Sequence, residues 1–134
     1  MQKQLRQDIK KVNAFAIQTI TVTTNGRAID TKLGESFSFE TALFHAEVGT
    51  LGDQTSTKIK IQESDVSDFS SGVQTAEGGD EVTVAADKSY KFEVKRAKRY
   101  LRAVVTITGG TTPSAVVYIG AILWNVSKPF PILS

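Results

Sequence analysis

The fold of this chain is decided by residues 115–124, which read Ala-Val-Val-Tyr-Ile-Gly-Ala-Ile-Leu-Trp. Successive side chains of a strand point to opposite faces, and here both sets are apolar apart from Gly120. A strand of this kind is covered on both sides, by a second sheet on one face and by another cover on the other. The outer cover is the N-terminal segment, the tail around residues 129–131 or a neighbouring subunit.

The segments before this strand also have the patterns of strands. Residues 58–62 and 100–107 alternate apolar and polar side chains with a period of two, as half-buried strands do. Residues 15–23 are rich in Ile, Val and Thr and lead to Asn25-Gly26, a strong turn dipeptide. We therefore predict an all-β chain, a single-domain β-sandwich or jelly-roll-like barrel of about eight short antiparallel strands with an N-terminal arm.

One strand pattern is irregular. The apolar residues of 37–48 change parity between Phe39 and Phe44, which predicts either a bulge near Ala42 or burial on both faces.

The composition offers little reactive chemistry. The chain has 134 residues, no cysteine and one histidine, so thiol chemistry is excluded and a metal site would depend on oxygen ligands. We interpret His45, which lies in an apolar run, as a hydrogen-bonded structural residue. The glycine pairs at 78–79 and 109–110 lack the Lys-Ser/Thr of a phosphate loop and are interpreted as turns. We predict no enzymatic activity, no cofactor and no metal.

The first twelve residues, Met-Gln-Lys-Gln-Leu-Arg-Gln-Asp-Ile-Lys-Lys-Val, differ from the rest of the chain. Four basic residues oppose one acid, and three apolar residues recur at helical spacing. We predict that residues 1–12 are a basic arm and 13–134 the β-sandwich domain, with a frayed terminus as the alternative. The predicted contact residues of the arm are Lys3, Leu5, Arg6, Ile9, Lys10, Lys11 and Val12. Neither a membrane span nor a signal peptide is expected.

Charge is segregated along the chain, although the net charge is only +2. Residues 62–87 contain seven acids and no Lys or Arg, whereas 88–102 contain seven bases and one acid. Such blocks form either solvated faces or complementary surfaces across an assembly. The candidate electrostatic contact comprises Lys95, Arg96, Lys98 and Arg99. Because no recognised stacking motif accompanies this cluster, nucleic acid is not the predicted partner.

A second candidate surface follows from the opening strand. Tyr118, Ile122 and Trp124 lie on its outer parity, and we predict that they form the buried seam between copies of a homo-oligomer.

Several stretches resemble the decoration, or cement, proteins of tailed-bacteriophage capsids, and they occur in the same order. The first is Lys-Ile-Lys-Ile-Gln-Glu-Ser-Asp at 58–65, followed by Phe69. The second lies within residues 97–109 and includes Lys-Arg-Tyr-Leu-Arg. Residues 28–31, 114–117 and 120–123 are also similar, so the resemblance covers about half of the chain.

The resemblance implies a β-rich virion protein on the outer capsid surface, assembled in the host cytoplasm. It implies that the protein stabilises the head by bridging major capsid protein subunits, commonly as a dimer or trimer. The family has no catalytic residues to transfer, and no single motif maps to a binding residue here. The alternative is a stand-alone β-sandwich module that binds carbohydrate or a host surface through exposed aromatic residues.

Overall fold

The computed structural model describes residues 9–33 and 37–127, and the regular structure in these ranges is entirely β. The long strands are β1 (Lys10–Ile20), β5 (Phe37–Leu51), β6 (Ser56–Ser64), β9 (Lys88–Lys95), β10 (Tyr100–Thr108) and β11 (Ala115–Ser127). The two-residue strands are β2 (Thr24–Asn25), β3 (Ile29–Asp30), β4 (Lys32–Leu33), β7 (Gln74–Thr75) and β8 (Val82–Thr83). The prediction of an all-β, sandwich-like fold is confirmed.

The strands form two antiparallel sheets. In the first sheet, β11 lies between β1 and β5, and β5 pairs on its other edge with β9 and β4. In the second sheet, β10 lies between β6 and the short strands β2 and β3, while β6 pairs on its other edge with β7 and β8. Every alternate residue of β11 from Ala115 to Leu123 is buried, so one face of this strand lies against the second sheet as predicted.

The sandwich is closed at one edge by the turn after β2. The amide of Gly26 donates to the carbonyl of Ala103 in β10 at 2.7 Å, and the amide of Arg27 donates to the carbonyl of Ala14 in β1 at 3.0 Å. These two bonds join the second sheet to the first. The closure fits the jelly-roll-like barrel that the sequence predicted.

The opposite edge is closed by residues 76–79. The amide of Ala76 donates to Ile61 of β6 at 2.9 Å, and the amide of Lys95 in β9 donates to Glu77 at 3.1 Å. Gly78 has a φ of +85°, and a Cβ there would overlap the carbonyl oxygen of Glu93. Glycine is therefore required where this segment crosses β9.

The pairing of β5 with β11 has no bulge near Ala42, where the sequence predicted a bulge or burial on both faces. The register between β5 and β11 has no shift in this stretch, yet Phe39 and Ala42 are both buried. The partner strand shows the same change, because Leu123 is buried and Val126 also packs on the core. Asn125, which lies between them, has a φ of +63°, so the unusual backbone lies on β11.

Strand β1 begins inside the segment that the sequence assigned to the arm. Lys10, Lys11 and Val12 pair with residues 121–123 of β11 as extended chain, so the helical spacing of the segment does not extend to them. Lys3, Leu5 and Arg6 lie outside the described residues. Farther along, β1 has two register shifts between Asn13 and Gln18, where bulges or irregularities interrupt its pairing with β11.

Candidate interaction surface

The predicted seam residues lie on the outer face, which we define as the solvent side of the sheet formed by β1, β11, β5 and β9. Tyr118, Ile122 and Trp124 are each half-buried there, because the alternate residues of β11 point into the core. The register with β5 places Leu43 beside Ile122 and Thr41 beside Trp124. The result is an apolar strip, formed by Leu43, Ile122 and Trp124, in the middle of the face.

Charged side chains flank the apolar strip on both sides. On β9, Glu93 pairs with Leu43 and is exposed. On β1, Lys11 pairs with Ile122 and is also exposed. One continuous row across four strands therefore reads Glu93, Leu43, Ile122, Lys11, with an acid at one end and a base at the other.

The next row contains the single histidine of the chain and a depression around Gly120. It reads Lys91, His45, Gly120, Asn13 across the same strands. A Cβ at Gly120 would lie 2.6 Å from Nε2 of His45 and 2.8 Å from Oη of Tyr118, so both rings lean over the glycine. The depression has a volume of about 380 Å³.

His45 is thus a residue of the outer face. Its ring lies 5.9 Å from that of Tyr118 at a tilt of 58°, and the Tyr118 hydroxyl donates to Oδ1 of Asn13 at 3.1 Å. The sequence predicted a structural histidine in an apolar strand. Its sequence neighbours Phe44 and Ala46 point to the core, whereas His45 points to the outer face.

The predicted electrostatic cluster is largely occupied by contacts within the chain. Arg96 forms an ion pair with Glu40 at 3.0 Å and also donates to the carbonyl of Phe39. The Nζ of Lys98 donates to the carbonyl of Gly72. Lys95 is exposed, and it lies on β9 beside Thr41 of the outer face.

Arg99, the fourth member of the cluster, holds Asp30 in a two-point contact. Its Nε and Nη2 donate to the two carboxylate oxygens at 2.9 and 2.7 Å. These hydrogen bonds lower the pKa of Asp30, and burial opposes them. Asp30 in turn raises the pKa of the Arg99 guanidinium. The pair ties β3 to the start of β10.

Glu63 is a structural residue that the sequence analysis did not single out. It is 1% exposed, and one carboxylate oxygen accepts from the amides of Ala97 at 2.8 Å and Lys98 at 3.2 Å. The other oxygen accepts from Nε2 of Gln74 at 2.6 Å. The available signal was its parity, since Glu63 continues the buried series of Ile59 and Ile61.

The two motifs that carried the family resemblance lie side by side on β6 and β10. Arg102 donates to Oε1 of Gln62 at 3.0 Å, and its guanidinium lies 4.3 Å from the ring centre of Phe69. The amide of Arg99 donates to Asp65 at 3.1 Å. Within this chain, the matching residues therefore hold one another and shape the loop between residues 64 and 73.

The described ranges contain no group of three His, Asp or Glu residues placed to hold a metal ion. Nor does any helix in that part of the chain have the length and apolar character needed to cross a membrane.

No protein-family model matches this sequence, and no curated protein matches it. Solved structures do share its fold. The SPBc2 prophage-derived protein YomS is 12% identical, with a TM-score of 0.50 over 93% of this chain and all of that chain. The coat protein of Tobacco streak virus is 14% identical, with a TM-score of 0.52 over 96% of this chain and 90% of that chain.

A third similar structure comes from the infectious bursal disease virus Gx strain. It is 11% identical, with a TM-score of 0.52 over 94% of this chain and 35% of that chain. At such low identities the likeness concerns the fold alone. This chain therefore has a sandwich fold that also occurs in a prophage-derived protein, in the coat protein of Tobacco streak virus and in part of a chain from infectious bursal disease virus.

Proposed function

We propose that this chain is a structural virion protein that binds the outer surface of a phage capsid. The observation that carries the proposal is the fold, which a virus coat protein and a prophage-derived protein share. The outer face supports an assembling role, because its apolar strip is half-exposed between charged side chains. A surface of this kind suits binding to protein, since apolar area supplies affinity and flanking charges supply orientation.

In this proposal the chain stabilises the head by bridging neighbouring major capsid protein subunits. Attachment at more than one point makes a small contact effective, because the second contact forms at a high local concentration. Among the contact residues proposed for the arm, Ile9 is 60% exposed. Lys10 contributes less, because its Nζ already donates to the carbonyl of Asp30 at 3.3 Å.

The test is the composition and heat resistance of phage particles. Particles of the phage that encodes the chain are purified with and without it, and DNA release is followed on heating. We expect the chain to copurify in a fixed ratio to the major capsid protein, and particles that lack it to release DNA at a lower temperature. Particles free of the chain would refute a virion role, and unchanged heat resistance would refute stabilisation.

A matched pair of variants tests the arm. Ile9→Ser and Val22→Ser each remove an exposed β-branched side chain, at 60% and 66% exposure, but only Ile9 belongs to the arm. We expect Ile9→Ser to lower the number of copies per particle and Val22→Ser to leave it unchanged. Equal occupancy for both variants would remove Ile9 from the contact.

A second candidate function is binding of carbohydrate, favoured by the half-exposed rings of Tyr118 and Trp124 on one sheet face. The two residues are six positions apart on one strand, or about 20 Å, so their rings do not form one continuous aromatic surface for a sugar to stack on. Glycan-array binding that is lost in Trp124→Ala, with no association with particles, would favour this function over the first.

A further inference from the structure

We infer that the outer face is a two-fold symmetric seam whose occupant is a second copy of this chain. The two-fold axis lies between the copies, parallel to the strands and midway between β5 and β11. The seam forms between copies of the chain alone and involves no capsid. It rests on the order of side chains across the four strands.

Such an axis exchanges the strands in pairs. Strand β5 of one copy faces β11 of the other, and β9 faces β1, while residues of one row face residues of the same row. An interface of this kind is isologous, so every contact occurs twice. The strand directions of the two sheets remain nearly aligned, which is the usual arrangement of packed sheets.

The row that contains Leu43 is complementary to itself under this operation. Leu43 of one copy faces Ile122 of the second copy, and Glu93 faces Lys11. Sheets pack about 10 Å apart, a gap that a lysine and a glutamate from opposite copies span together. The seam thus gains two apolar contacts and two ion pairs from one row.

The neighbouring row fits the same operation. His45 of one copy faces Gly120 of the other, beside the depression of about 380 Å³ that Asn13, Tyr118 and Ile122 line. Lys91 faces Asn13, whose side chain is an amide, so the row opposes no like charges. Farther along, Thr41 faces Trp124, which covers the exposed part of the indole.

The size of the face predicts a dimer that dissociates on dilution. Four strands are about 19 Å wide, and four rows of alternate residues are about 27 Å long. The flat area is about 500 Å² in each copy, hence about 1,000 Å² in the dimer, which is close to the lower limit for a specific interface.

The experiment is sedimentation velocity of the full chain over a concentration series. Lys11→Glu and Glu93→Lys each place like charges opposite one another twice, so we expect each to raise the dimer dissociation constant at least tenfold. The double variant restores the opposite charges with their order reversed, and we expect it to recover the affinity. Lys32→Glu, an exposed site on β4, is the control and keeps the original dissociation constant.

Three results would overturn the inference. A chain that stays monomeric at every concentration has no seam. If the single variants weaken the dimer and the double variant does not recover the affinity, the seam has another register. If Lys91→Glu combined with Glu93→Lys recovers the affinity, the two-fold axis runs across the strands.

Fluorescence of Trp124, the single tryptophan, is a second measurement, since the seam protects the indole from quenching by acrylamide as the protein concentration rises. No capsid is present, so these results do not depend on the virion proposal.

Discussion

Replacement of Glu63 by alanine tests whether this buried carboxylate holds the connection between β9 and β10. The side chain accepts hydrogen bonds from the amides of Ala97 and Lys98 and from the side chain of Gln74. Glu63→Ala removes both acceptor oxygens and all three hydrogen bonds, and it leaves two backbone amides without their partner. Because the residue is 1% exposed, no surface water replaces the carboxylate without local opening.

The expected loss follows from the number and kind of these bonds. Hydrogen bonds to charged groups contribute roughly 1.5–3 kcal/mol each, and the Ala97 and Gln74 bonds are the shorter of the three. Partial solvent access to residue 97 reduces the total, so we expect about 3 kcal/mol of lost unfolding free energy. For a domain of this length that corresponds to a decrease in Tm of about 10 °C.

The assay is urea unfolding followed by circular dichroism, with two further variants. Glu63→Gln keeps one acceptor, and the exposed Gln74 amide is able to turn its carbonyl towards the new donor, so we expect a loss of about 1 kcal/mol. Asp65→Ala removes a single exposed bond to the Arg99 amide and should cost less than about 1 kcal/mol. Hydrogen exchange gives the local readout, with faster exchange at Ala97 and Lys98 in Glu63→Ala. Equal stability losses for the alanine variants of 63 and 65 would refute the reasoning.

The Asp30→Asn variant tests the ion pair with Arg99. Because both side chains are more than a third exposed, solvent screening keeps the expected loss of unfolding free energy at pH 7 well below that of Glu63→Ala. The folded-state pKa of Asp30 lies below the ordinary 3.8, so the stability from the ion pair is complete above pH 3.8 and is lost as pH falls through the folded-state pKa. If the wild type and Asp30→Asn still differ in urea midpoint below that pKa, the ion pair is not the cause. Gly78→Ala and Gly72→Ala both force alanine into a positive φ, which costs about 1 kcal/mol of unfolding free energy. Only the Cβ of Gly78→Ala also clashes with backbone, at the carbonyl of Glu93. We expect Gly78→Ala to lower Tm by several degrees more than Gly72→Ala, and equal melting temperatures would show that residues 76–79 do not hold β9.

The strands and their inward faces could be predicted because alternation is a local property. Ile59 and Ile61, with polar neighbours, were enough to assign one face of β6 to the core. The same rule includes Glu63 in the buried series, but its role could not be predicted. The donors that satisfy it are the amides of residues 97 and 98, whose approach depends on how β9 leads into β10.

The partners of the predicted electrostatic cluster within the chain could not be predicted from the sequence. A run of basic residues at 95–99 suggested an electrostatic contact, since sequence alone shows charge without its partner. In the structure Arg99 binds Asp30 and Arg96 binds Glu40, so two members of the cluster have acidic partners within the chain. Partners this distant in sequence are set by strand pairing, for which a charge run gives no signal.

By itself, the sequence determined that the chain is all-β. It also determined that Tyr118, Ile122 and Trp124 share the face of β11 that points away from the core, because side chains alternate between the two faces of a strand. Only the tertiary structure decided what lies beside them. Register brings Glu93, Leu43, Ile122 and Lys11 into one row, and it depends on hydrogen bonds between distant segments. A shift of one residue in any of these strands would turn its side chains to the opposite face. The charge order on which the seam depends is therefore a property of the assembled sheet.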